Sequence, residues 1–120
     1  MSISLLVPAT GHSQLYSNSS NVTLAQNETF SLGSIANTAS LVIVLSQRDD
    51  SGGINYPSAL YMCSYGREPQ IIQTQGASWD HEDGGSDFVL YDAGSANVTF
   101  KNRSSTTTLF AFHVWNMVGV

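Results

Sequence analysis

No stretch of this chain carries apolar residues at helical spacing over three turns. Strand-length apolar segments recur instead, separated by Gly, Ser, Asn and Asp. They fall at 3–7, 21–25, 28–32, 40–47, 58–65, 70–75, 87–91, 97–101 and 107–117. Eight or nine short strands at this spacing predict an all-β fold, an antiparallel β-sandwich of jelly-roll type. The 120 residues are enough for one domain and not two, so a single sandwich over 1–120 is expected. A domain of this size buries a core without help from metal or disulfide. It contains one cysteine, Cys63, which excludes an intrachain disulfide and reads as a small buried hydrophobe.

Alternation assigns faces to several strands. Val22 and Leu24 point one way and Asn21 and Thr23 the other; Phe30 and Leu32 stand against Thr29 and Ser31, and Val98 and Phe100 against Asn97 and Thr99. Three segments break this pattern by being apolar on both faces: Leu41-Val42-Ile43-Val44-Leu45, Phe88-Val89-Leu90-Tyr91 and 109–115. Their outer faces need a cover, either another subunit or a loop of the same chain.

Charge excludes whole classes of partner. Only 11% of residues are charged, the net charge is −5, and the cations are Arg48, Arg67, Lys101 and Arg103. Nucleic acid needs a basic patch and anionic membranes need a basic surface, so neither partner is expected. No apolar run reaches the roughly 18 residues of a membrane span, and no signal peptide is visible. Polarity comes instead from Ser, Thr, Asn and Gln, a neutral surface suited to β-structure and to coverage by partners.

The segment 79–87 is the richest in chemistry. It holds Trp79, Asp80, His81, Glu82, Asp83 and Asp87 around two glycines. Asp80, Glu82, Asp83 and Asp87 are the candidate ligands for a calcium ion, although the spacing is not that of an EF-hand, and a solvated acidic loop is the simpler expectation. No cofactor is expected. His12, His81 and His113 lack zinc-ligand spacing, and no nucleophile, phosphate-loop or dinucleotide motif occurs, so no enzyme activity is expected. The five Asn-x-Ser/Thr triplets, at Asn18, Asn21, Asn27, Asn97 and Asn102, reflect a chain rich in these residues. Two predicted loops, 47–55 and 76–86, sit where sandwiches carry binding residues. Asp49, Asp50, Tyr56 and Trp79 there form a candidate carbohydrate site, the aromatics stacking on sugar rings; plugging the ends of the sandwich is the simpler expectation for Tyr56 and Trp79.

The strand series from Asn21-Val22-Thr23-Leu24 to Leu41–Leu45, the segment Tyr56-Pro57-Ser58-Ala59-Leu60-Tyr61-Met62 and the aromatic last strand 109–115 resemble phage virion β-domains. These are the knobs of fibres and tail needles and the jelly-roll cement (decoration) proteins of tailed-phage heads. The resemblance covers the whole chain and rests on composition, with no motif to transfer. It implies a homotrimer with the last strand at the subunit contact, which nominates Phe110, Phe112, Val114 and Trp115 for the interface. It implies a virion location after synthesis in the host cytoplasm, and contact with the major capsid protein or another virion protein. A free-standing chain of this length favours capsid cement over a knob. A lectin-like module or receptor-binding knob is the alternative.

Overall fold

In the computed structural model the described residues are 14–33, 39–50, 53–64, 67–94 and 97–118. They form ten strands: β1 (Gln14–Leu24), β2 (Thr29–Gly33), β3 (Ser40–Asp50), β4 (Gly53–Asn55), β5 (Ser58–Cys63), β6 (Gln70–Gln75), β7 (Trp79–Asp80), β8 (Phe88–Asp92), β9 (Val98–Asn102) and β10 (Thr108–Val118). The large sheet has the order β1-β10-β3-β5-β6, with β4 paired to the end of β3, and the small sheet has the order β2-β9-β8-β7. The protein is thus an all-β sandwich. At the two ends of the chain the strands alternate between sheets, as a jelly roll requires, while β3-β5-β6 and β8-β9 run on within one sheet. All pairings are antiparallel except β7 with β8. The expected strand at 3–7 lies outside the described residues.

The sheets are joined by aromatic rings. Phe100 of β9 lies 4.7 Å from Phe110 and 5.0 Å from Phe112, both on β10 of the opposite sheet. Phe88 meets Phe110 edge-on at 5.1 Å, Trp79 meets Phe88 at 4.9 Å, and Phe30 stacks on Phe112 at 5.3 Å. All five phenylalanines of the chain belong to this network. Val42, Val44, Ala59, Tyr61 and Cys63 extend the same core from the large sheet.

The expected subunit contact is corrected here. Phe110, Phe112 and Val114 point inward and are closed off within one chain, so they are core and not interface. The alternation of β10 leaves Leu109, Ala111, His113 and Trp115 on the outer face. The expected loop at 47–55 is also corrected: Arg48, Asp49 and Asp50 pair with Asn55, Ile54 and Gly53, so most of it is a hairpin extending β3. Strand β1 is longer than alternation predicts, because its polar first half pairs with β10 all the way to Val118.

One polar residue fastens a corner of the sandwich. Asn102 is fully buried, and its Nδ2 donates to the carbonyls of Leu24 (2.9 Å) and Thr106 (3.0 Å). Its Oδ1 accepts from the backbone N and the hydroxyl of Ser104. Its own backbone links to Glu28 and Asn27 in the β1–β2 turn, where Asn27 takes a left-handed conformation (φ 67°) that its short amide side chain tolerates. Asn102 therefore ties the end of β1 to the β9–β10 turn, and its triplet is no glycosylation site in the folded protein. Asn102→Ala leaves these groups unpaired and is expected to cost roughly 2–4 kcal/mol, read from the denaturant midpoint. Asn102→Asp, which keeps the shape but loses the donor, is expected to destabilise as well; a midpoint unchanged in both variants would refute the role.

Candidate functional site

The acidic segment begins at β7, where Tyr61 donates its hydroxyl proton to the Asp80 carbonyl (2.7 Å). Burial above all, with the charge of Asp80 nearby, pushes the Tyr61 phenol above its ordinary value. Beyond Asp80 the chain crosses the outer face of the small sheet. Asp83 receives hydrogen bonds from Lys101 Nζ (3.1 Å) and Arg103 Nη1 (2.7 Å). Lys101 is the strand neighbour of Val89, which points away from the aromatic core and is nevertheless fully buried. The acidic loop is thus tied to Lys101, beside the outward, fully buried Val89 of the doubly apolar segment 88–91.

The four candidate calcium ligands are not brought together. Asp83 faces two cations, Asp80 accepts from the backbone N of His81 (2.7 Å), Glu82 is exposed, and Asp87 is half-buried. Among the described residues no three His, Cys, Asp or Glu side chains converge on a point that could hold a metal. Partial burial opposes ionisation of Asp83, but the hydrogen bonds and charges of Lys101 and Arg103 outweigh it and hold the carboxyl below its usual range.

The expected carbohydrate residues are dispersed. Trp79 is only 9% exposed, its indole N–H donates to the Gly76 carbonyl (2.9 Å), and its ring packs in the core, so it offers no platform to a sugar. Tyr56 stands 59% exposed directly after the β3–β4 hairpin, of which Asp49 and Asp50 form part. Cys63 is closed off in the core, and burial pushes its thiol up to about 12.

The largest feature open to a partner is the outer face of the large sheet. Leu41, Leu45, Met62 and Leu109 are 39–52% exposed there. Ile43, Leu60 and Trp115 are half-buried beside them, and the Trp115 ring lies 4.3 Å from that of His113. The double apolarity of 41–45 and 109–115 was the signal for this face. Of the residues nominated for an interface only Trp115 lies on it, and the leucines and Met62 were not singled out.

Two outcomes follow. A carboxyl held low when folded stabilises above its unfolded pKa, near 4, and that gain is lost as pH falls through the folded value. Asp83 is a third exposed, so the effect is at most about 1 kcal/mol. Below pH 4 or in 1 M salt, amide exchange is expected to rise in 81–87 while the core stays protected; an identical acid response in Asp83→Asn would refute the tie. Cys63 is expected to ignore an aromatic disulfide reagent until denaturant is added; rapid labelling of the native protein would contradict its burial.

No protein-family model matches the chain, and no curated protein matches it. Among solved structures it is similar to the tailspike protein gp49 of Acinetobacter baumannii bacteriophage Fri1, a capsular polysaccharide depolymerase, with a TM-score of 0.54 and 8% identity over 94% of this chain and 19% of that one. The tailspike protein of Acinetobacter phage vB_ApiP_P1 also matches, at 15% identity over 93% of this chain and 23% of that one, with a TM-score of 0.37. The chain thus spans about a fifth of the length of these tailspikes. Its sandwich is a fold that the first of them carries in one part of a much longer chain.

Proposed function

We propose that this chain is a non-catalytic β-sandwich module of a tailed-phage virion, serving the host-recognition apparatus at the tail. The observation that carries the reading is that almost the whole of the chain matches one part of a tailspike fold. The same strand pattern resembles virion β-domains at the level of sequence. A fold hosts many functions, so the site has to be consistent with this one. It is: the described residues present a neutral, broad face for assembly and, among them, no grouped catalytic constellation. Cleavage of a glycosidic bond needs a carboxylic acid kept protonated near neutral pH. Asp83, the best-defined carboxylate of the acidic loop, is instead held ionised by Lys101 and Arg103. A capsid cement role uses the same kind of sandwich, but the fold match lends its weight to the tail.

Location decides between these readings. Gold-labelled antibody against the purified protein, applied to particles of the phage that encodes it, is expected to mark the tail end. Labelling spread over the head would restore the cement role, and particles free of the protein would overturn the virion reading altogether.

A further inference from the structure

We propose that the outer face of the large sheet is the surface on which a second copy of this chain packs. The inference stands on the face itself and does not depend on the virion reading.

Strand register lays the face out in rows. Across one row Asn21, Ala111, Leu45, Ser58 and Gln75 lie side by side; across the next come Ser19, His113, Ile43, Leu60 and Gln73. The apolar residues of these rows lie in the middle, on β10, β3 and β5, interrupted there by Ser58 and His113, and the ends on β1 and β6 are polar. An apolar centre with a polar rim is the anatomy of a protein–protein interface. Five strands about 4.8 Å apart, and four rows about 6.7 Å apart, give a face on the order of 600 Å². Two such faces in contact reach the lower end of the roughly 1,200–2,000 Å² of stable complexes.

Charge selects the occupant. Strands β1, β5, β6 and β10 contain no Asp, Glu, Lys or Arg, and β3 has none before Arg48. The net charge of −5 therefore resides elsewhere, much of it in the acidic loop over the opposite sheet. A nucleic acid, an acidic peptide or a basic partner finds nothing on this face to pair with. A second copy meets no like charge, and its hydroxyl and amide rim matches itself. Shape agrees. Ile43 and Leu45 both border two hollows of about 300 and 110 Å³, one toward β6 and one toward β1. The apolar stripe of β3 is thus a ridge between two hollows, and a rotated copy can seat its ridge in a hollow.

Mass in solution tests this. Sedimentation of the full chain at about 100 µM is expected to give at least twice the monomer mass. Leu45→Lys and Met62→Lys, made separately at positions already half exposed, are expected to return the monomer with an unchanged melting curve. Either variant serves if the other fails to fold. A monomeric wild type would overturn the proposal. So would association that survives both variants, or association lost with Ile72→Lys on the β6 edge but kept with Leu45→Lys, which would put the contact at an edge.

Discussion

Contact between the Phe100 ring and those of Phe110 and Phe112 holds this fold together, because these rings hold the two sheets face to face. The small sheet brings Phe88, Phe100 and Trp79 to the boundary; the large sheet answers with Phe110 and Phe112, and Phe30 closes one end. Tilted and edge-on rings add about 0.5–1.5 kcal/mol per pair beyond the burial of their area. In a chain with few charges and no disulfide this cluster is the main source of stability. Everything else positions it: the buried Asn102 corner fixes where β9 turns into β10, and the bonds from Ser46 N and Oγ to the Pro57 carbonyl fix where β3 hands over to β5.

The two sheets treat their outer surfaces in opposite ways. Outside the small sheet a folded loop is pinned by Asp83 to Lys101 and Arg103, and Val89, the strand neighbour of Lys101, is fully buried. Outside the large sheet, no described segment covers the leucines of β3 and β10. The contrast follows from strand composition. β9 alternates, so Lys101 stands outward and gives an acidic loop something to hold. β10, and β3 as far as Gln47, offer only aliphatic, aromatic and neutral groups, to which a charged loop has no reason to return. The sandwich is therefore electrically lopsided, with four carboxylates in the acidic loop on one side and none on the strands of the other before Asp49.

Much of the fold was legible in the sequence, and the failures have separate physical causes. Alternation at Val22/Leu24, Phe30/Leu32 and Val98/Phe100 gave both the strands and their inward faces, because only one parity was apolar. In 109–115 both parities are apolar. Periodicity then reports a doubly covered strand without saying which half faces the core, and the inward half, Phe110, Phe112 and Val114, was assigned to the wrong side. Trp79 takes the plugging role and not the sugar-stacking one, although its surroundings hide this. It sits among Gly, Ser and Asp, whose turn-forming habit outweighed one indole, and its place in the core depends on a two-residue parallel bridge that no local pattern encodes. The first half of β1 was missed because its hydroxyls and amides read as a loop; pairing with β10, not propensity, makes it a strand. Asn102 was visible only as part of a common triplet, since nothing local announces that an asparagine will be buried at a corner.

The pairing of β1 with β10 has a consequence for how the domain relates to whatever chain it is part of. Gln14 and Val118 are register partners at the end of neighbouring strands, so the described residues begin and end at one spot, about 5 Å apart across a strand pair. Such a unit behaves as a pendant. It can be spliced into a turn of a larger protein without parting the strands on either side, and it transmits little pull to its own core, because tension on the two ends runs across a single pair and not through the stack of rings. The same arrangement makes the last strand the keystone of assembly. β10 lies between β1 and β3, so the large sheet stays split until the final segment arrives, and long-range closure of this kind sets a slow pace of folding.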